Sequence, residues 1–190
     1  MLSAKPSTSI RDADFEFENT EVRIAVNRNC PKIELAGLEI GPFEEGKEYD
    51  VRFWIAQELE KAGIARFHEE DLLTAVKLYK IHWKERVQSV KQIAFLPRDF
   101  YPKLRRYLAD LKKNAVKKPE KMREYEKAVR HSRDIINCRL KKLVSLASAS
   151  AAQTNQTINN LSVEEHSIYK LLRKNIGEWR TRILKEGAES

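Results

Sequence analysis

The segment Val51-Arg52-Phe53-Trp54-Ile55-Ala56-Gln57-Glu58-Leu59-Glu60-Lys61-Ala62-Gly63 contains the point at which the hydrophobic period changes. Before it, apolar and polar residues alternate, as is typical of strands. From Phe53 onward the apolar residues follow helical spacing, and Gly63 supplies a left-handed stop. We therefore predict a mainly α protein with a small N-terminal β domain (α+β), in which a helical bundle follows a short antiparallel sheet. The apolar residues of the closing helix are Trp54, Ile55, Ala56, Leu59 and Ala62.

The alternating segment upstream predicts short strands that belong to a β domain at residues 15–66. Turn-forming residues, such as those of Asn27–Pro31 and the pair Gly41-Pro42, separate the strands. Residues 1–14 show no apolar period and are predicted to be a flexible tail. The alternating apolar residues are Phe15 and Phe17, Val22, Ile24 and Val26, Ile33 and Leu35, and Leu38 and Ile40.

Downstream, residues 67–190 are predicted to form an all-helical domain. Its first helix begins near Asp71, and its apolar stripe is interpreted as the buried face, with Trp83 in the core. Asp99 is a candidate N-cap for the next helix, which ends at Lys117-Lys118-Pro119. The stripe of the first helix consists of Leu72, Val76, Tyr79, Trp83, Val87 and Val90, and that of the second of Phe100, Leu104, Tyr107, Leu108 and Leu111.

The helix predicted for Pro119–Ala147 is long, at about 40 Å. Apart from Arg139, its seam is close to a heptad repeat and continues further than neighbours in the same chain can cover. We therefore expect an intersubunit helix, with six interface candidates in the whole chain. The seam consists of Met122, Tyr125, Val129, Ser132, Ile136, Arg139, Leu143 and Ala147, and the interface candidates are Trp54, Tyr125, Val129, Ile136, Leu143 and Trp179.

The end of the chain is predicted to be a polar insertion at residues 148–160 and then a last helix. Ser162-Val163-Glu164-Glu165 has the pattern of a capping box, which is a strong helix start. Gly187 is the predicted stop. One face of this helix presents Ile168, Leu172, Ile176, Trp179 and Ile183.

The net charge of +8 is concentrated in the segment Tyr101–Lys142, which holds 15 Lys and Arg against 5 Asp and Glu. Such a segment attracts phosphates, but aromatic residues suited to base stacking are scarce in it. The alternatives are a solvated face, weak nonspecific DNA contact, or a stand-alone basic helical nucleic-acid-binding protein that uses residues 101–142. The candidate DNA contacts are Lys112, Lys113, Lys117, Lys118, Lys121, Arg130 and Arg133.

No pattern for catalysis or metal binding occurs in the sequence. His68, His82, His131 and His166 form no HExxH, Cys30 and Cys138 have no metal-ligand spacing, and no phosphate-binding glycine loop is present. No stretch approaches the roughly 20 apolar residues that cross a bilayer. We expect a cytoplasmic, non-catalytic protein with no cofactor, no metal and no membrane association.

The order of parts resembles the GINS family, in subunits of the class with the β domain first. Asp134–Ala147 looks like the family's long-helix pattern, and Leu161–Glu165 like the start of its last helix. Tyr169, Leu172 and Trp179-Arg180 continue the likeness. Phe53-Trp54 and the polar insertion depart from the family pattern. The positions that match around the closing helix are Gly41, Gly46, Val51, Trp54, Ala56, Leu59 and Gly63.

The resemblance implies a scaffold subunit of an archaeal GINS complex that acts in DNA replication and associates with the nucleoid. It implies a 2:2 heterotetramer with a paralogous subunit whose helical domain comes first. The implied partners of that assembly are the MCM helicase and a RecJ-like protein, with primase or DNA polymerase as further partners.

Overall fold

The computed structural model describes residues 6–35, 37–89, 92–149 and 158–186. The chain divides into a β unit, Asp14–Leu73, and a helical unit that holds Thr74–Ser190 together with Met1–Ala13. A small antiparallel sheet followed by a helical bundle confirms the predicted α+β class. The first elements are α1 (Pro6–Glu18), β1 (Glu21–Val26), β2 (Ile33–Leu35), β3 (Leu38–Ile40), β4 (Glu48–Arg52), α2 (Phe53–Lys61) and β5 (Ala65–Phe67).

The β unit contains a three-stranded sheet and a separate two-stranded ribbon. β1 lies between β4 and β5 and is antiparallel to both, while β2 pairs with β3. Ile24 and Val26 point into the core, as their alternation predicts. Three aromatic rings of that core pack together, with ring centroids 4.3 Å apart for Phe17 and Phe53 and 5.3 Å apart for Phe53 and Phe67.

The prediction for the first 17 residues is wrong where the structure describes them. Residues 6–14, predicted to belong to a flexible tail, are part of α1, and Phe15 and Phe17 lie in that helix instead of on a strand. Helical spacing explains the burial, since Ala13 and Phe17, four residues apart, are buried while Phe15 is exposed.

Two strands of the sheet were not predicted from the sequence. In β4, charged residues occupy three of the five positions, and β5 has only three residues. Because β5 spans Ala65–Phe67, the predicted domain boundary between residues 66 and 67 would cut through a strand.

Helix α2 confirms the change of period at Phe53. It buries Phe53, Ile55, Ala56 and Leu59. Gly63, at φ +70°, ends it in a Schellman motif. In this motif the Gly63 amide donates to the Glu60 carbonyl, and the Ile64 amide donates to the Leu59 carbonyl, each at 2.9 Å.

Four helices dominate the helical unit. Helix α5 packs against the other three. The seam predicted to need a partner chain is therefore covered largely by the chain's own helices, because Ser132, Arg139, Leu143 and Ala147 are buried there. The elements are α3 (Ala75–Val87), α4 (Phe100–Lys117), a short 3-10 turn (Pro119–Lys121), α5 (Met122–Ser148) and α6 (Val163–Glu186).

The prediction of which face of α3 is buried is wrong. Thr74 caps the start of the helix, since its side chain accepts a hydrogen bond from the Lys77 amide at 3.3 Å, and the helix ends at Val87. Its buried residues are Leu78, His82 and Glu85. The predicted core residue Trp83 is exposed.

Other predicted helix ends agree in place but differ in detail. Asp99 occupies the N-cap position of α4 with a left-handed backbone, and its side chain makes no capping bond. Helix α4 ends at Lys117 as predicted, whereas Ser148, predicted to open the insertion, still belongs to α5. Val90, most of the predicted insertion (residues 150–157) and Gly187 lie outside the described residues.

Candidate interaction surfaces

A fully buried set of charges, which we name the ionic cluster, joins α3, α5 and α6. Arg139 donates to Glu165 from Nε at 2.7 Å and to Glu85 from Nη1 at 3.1 Å. Lys142 lies 2.7 Å from the second oxygen of Glu85. The four side chains are 1–3% exposed. Two cations and two anions thus neutralise one another inside the bundle.

Tyr101 of α4 completes the cluster by donating from its hydroxyl to Glu165 at 2.7 Å. Burial and the neighbouring Glu165 raise the pKa of Tyr101, so the phenol stays protonated and remains a donor. Burial acts to lower the pKa of Arg139, but the hydrogen bond and charge of Glu165 outweigh it and raise that pKa. Each charged group is paired, and the arrangement therefore holds four helices together without offering an open catalytic cleft.

The capping box predicted at the start of α6 is confirmed. Ser162 Oγ accepts from the Glu165 amide at 3.3 Å, and the Ser162 amide donates to Glu165 Oε2 at 3.0 Å. Glu165 thus both caps α6 and pairs with Arg139. Sequence reasoning found the cap but missed the pairing, although Arg139 as an exception within an apolar seam was the available signal.

With the bundle held together from inside, α3 presents an apolar stripe to solvent, which we name the α3 face. Val76, Tyr79, Trp83 and Val87 follow one another at intervals of three and four residues. They are 51–65% exposed. Contiguous exposed apolar surface of this kind marks interaction sites on soluble proteins.

Helix α5 carries a second stripe, the α5 face. Ile136, Leu140 and Val144 lie one turn apart and are 41–44% exposed. The preceding residue, Ile135, is fully buried. The predicted interface residue Ile136 is thus accessible on a face other than the covered seam.

The C-terminal part of α6 is the third exposed surface, the α6 end. Every residue of Gly177–Leu184 is exposed in the structure. Trp179, Ile183 and Leu184 give this segment three large apolar side chains. Trp179 and Ile183 were predicted to share a face with Ile176, but only Ile176 packs on the core. Arg180 donates to the Ser148 carbonyl at 3.0 Å and thereby places the α6 end beside the C-terminal end of α5.

The six predicted interface residues therefore have different environments. Ile136 and Trp179 are exposed, Tyr125 and Val129 are half-buried, and Leu143 lies inside the bundle core. Trp54 is half-buried against the core of the β unit. Leu143 cannot reach another chain in this arrangement, whereas the exposed residues keep their predicted role as candidates.

The candidate DNA contacts are exposed wherever their side chains are described. Two of the fifteen basic residues of the segment, Arg139 and Lys142, are buried in the ionic cluster and are unavailable to a phosphate. Lys121 lies 3.4 Å from Glu124. The side chain of Lys117 lies outside the description. The exposed candidates are Lys112, Lys113, Lys118, Lys121, Arg130 and Arg133.

The described residues show neither a metal-binding cluster nor a membrane-spanning helix. Among them, no group of three or more His, Cys, Asp or Glu side chains is arranged to hold a metal ion. Within the same residues, no helix is both long and apolar enough to span a bilayer.

Comparisons with known proteins match both units. Residues 72–184 match the model of the GINS complex protein helical bundle domain. Residues 9–68 match that of the PSF2 N-terminal domain, and this range includes most of the unpredicted helix α1. No curated protein sequence is significantly similar to the chain. Because the helical-bundle model alone covers more than half of the 190 residues, the chain belongs to the GINS family of replication-complex subunits.

Proposed function

We propose that this chain is a non-catalytic scaffold subunit of an archaeal GINS complex, in which it pairs with a paralogous subunit as a 2:2 heterotetramer. The observation that carries the proposal is the set of three exposed apolar surfaces on one bundle. An isolated protein gains nothing from exposing Trp83 and Trp179, whereas a subunit buries such residues on assembly. Because the chain belongs to the GINS family, we expect the partner to be another GINS subunit.

A scaffold role also agrees with how the charged groups are used. Glu85, Arg139, Lys142 and Glu165 are buried and paired with one another. A catalytic acid or base needs access to a substrate, which this neutral arrangement does not give. We infer that the ionic cluster fixes the relative positions of the helices that carry the apolar surfaces.

Within the assembly, we propose that the chain helps to bridge the MCM helicase and a RecJ-like partner, with primase or DNA polymerase as further candidates, in the nucleoid of the cytoplasm. The test is a three-component capture, with MCM helicase immobilised and the RecJ-like protein in solution. The RecJ-like protein is expected on the beads only when the GINS assembly is added. Equal retention without the assembly, or no retention with it, would contradict bridging.

Weak DNA contact is a second candidate activity, supported by six exposed basic side chains at the end of α4, around the 3-10 turn that follows it and in the first half of α5. Contacts of this kind are electrostatic, and each phosphate contact makes the logarithm of the binding constant fall by roughly 0.9 for every tenfold rise in salt concentration. We expect Lys112→Glu with Lys113→Glu to reduce that slope, and Lys170→Glu on α6 to leave it unchanged. Fluorescence anisotropy with a labelled duplex measures both. Sequence-selective, salt-resistant binding would instead support a stand-alone nucleic-acid-binding protein.

A further inference from the structure

A cavity of about 280 Å³ opens between α3, α4 and α5. The buried residues Leu78 and Ala128 line its deeper part. Tyr79 belongs both to the cavity and to the α3 face, so the two features form one continuous surface. The remaining polar lining comes from Tyr107, Glu124, Lys127 and His131.

His131 is the unusual group in this lining, because both of its ring nitrogens are buried and have no hydrogen-bond partner among the described residues. Its ring packs 4.4 Å from that of His82 and 5.7 Å from that of Tyr79, measured between centroids. His82 uses Nε2 to contact Asp134 at 3.1 Å and so offers His131 nothing on that side. Unsatisfied buried nitrogens are costly, and a ligand that accepts from one of them recovers that cost.

The charges around His131 favour an anionic ligand. Glu124 is paired with Lys121 at 3.4 Å and Asp134 is engaged by His82, whereas Lys127 and Arg130 have no carboxylate partner in the described part of the chain. The unpaired charge beside the cavity is therefore positive. The titratable and charged groups that face His131 are Tyr79 and His82 on α3, Tyr107 on α4, and Glu124, Lys127, Arg130 and Asp134 on α5.

We infer that this cavity receives an aspartate or glutamate side chain of the neighbouring GINS subunit, carried on a helix that lies along the α3 face. This inference rests on the proposed assembly and deepens it by naming the chemistry of one contact. The cavity is several times larger than the roughly 30 Å³ share of one water molecule, which leaves room for a carboxylate. The helix that carries it would bury the α3 face, including Trp83.

Such a contact couples assembly to proton uptake. In the free chain, burial together with His82, Lys127 and Arg130 lowers the pKa of His131, so the ring is neutral near pH 7. An incoming carboxylate favours the imidazolium, which can then donate to it. The affinity between the subunits should therefore increase as the pH falls, by at most tenfold per pH unit for one proton.

Isothermal titration calorimetry of the full chain with its paralogous GINS subunit tests this, between pH 6 and 8 and in two buffers of different ionisation enthalpy. The wild-type chain should take up a fraction of one proton and bind more tightly at pH 6. His131→Phe should lose both effects, while His166→Phe, which removes another histidine of lowered pKa, should keep them. Wild-type binding without proton uptake, or an unchanged pH dependence in His131→Phe, would overturn the inference.

A surface variant keeps the test valid if His131→Phe fails to fold. Lys127→Glu reverses an exposed charge at the cavity and should weaken binding at least tenfold, whereas Lys141→Glu, exposed further along α5, should not. If both variants bound the paralogous subunit with the affinity of the wild type, the inference would also be overturned. The proposed function would not be affected by that result. Failure of the wild-type subunits to associate at any pH would instead contradict the proposed function itself, and the inference with it.

Discussion

Arg139 illustrates how one residue connects several helices of the helical unit. It lies on α5, yet its partners Glu85 and Glu165 are on α3 and α6, and its Nη1 also donates to the Ala94 carbonyl at 2.6 Å. At 1% exposure it has no access to solvent as an alternative partner. Its contribution to stability therefore depends on all of these groups being in place.

Replacement of Arg139 by leucine should destabilise the chain strongly, because it leaves Glu165 buried without its cation. Breaking a buried ion pair from one side costs about 3–5 kcal/mol. Urea denaturation followed by circular dichroism measures the loss in the free energy of unfolding. The control is Lys141→Leu at a neighbouring exposed position, with an effect within about 0.5 kcal/mol. Equal stability of the two variants would show that the ionic cluster does not hold the helices.

Two histidines with lowered pKa values should make the free energy of unfolding depend on pH. Burial is the main cause that lowers the pKa of both His131 and His166 below the ordinary 6.5. The unfolded chain then binds more protons than the folded chain below pH 6.5, so their contribution is complete above that pH and is lost as the pH falls towards the folded-state pKa values. The free energy of unfolding should be lower at pH 5.5 than at pH 7.5, by a smaller margin in His131→Phe. A margin that is unchanged in this variant would exclude His131 as a cause.

At the scale of elements, α3 shows why a hydrophobic period can indicate the wrong face. The apolar stripe of Val76, Tyr79 and Trp83 is exposed, and the face that contains His82 and Glu85 is buried. The partners that make this burial possible, Asp134 and Arg139, lie more than 50 residues away on α5. Local spacing carries no information about such partners, so the more apolar stripe was assigned to the core.

A charged substitution on the α5 face should impair assembly without impairing folding. Ile136→Asp places a carboxylate on an exposed stripe, where the isolated chain can hydrate it, and any partner packed there would have to bury it. Association with the paralogous subunit should weaken by about tenfold or more, while the melting temperature of the isolated chain changes little. Asn137→Asp introduces the same group one residue away and is the matched control. A folded Ile136→Asp chain that assembles like the control would exclude this face from the interface.

At the scale of the whole molecule, the sequence was sufficient for the order of the two domains and for the elements with strong local signals. The Gly63 stop, the period-2 strand β1 and the Ser162–Glu165 cap are examples. Helix α1 was missed because its burial depends on single contacts such as that of Phe17 with Phe53. The exposure of the predicted interface residues could not be derived from the sequence, since which face of α5 remains exposed is decided by the packing of the other helices.

The central claim is that this chain buries its exposed apolar surfaces by joining another GINS subunit. Co-expression with its paralogous GINS subunit, followed by size-exclusion chromatography with multi-angle light scattering, tests it most directly. We predict one species that contains two copies of each chain. A stable monomer of 22.2 kDa that elutes apart from the paralogous subunit would contradict the claim.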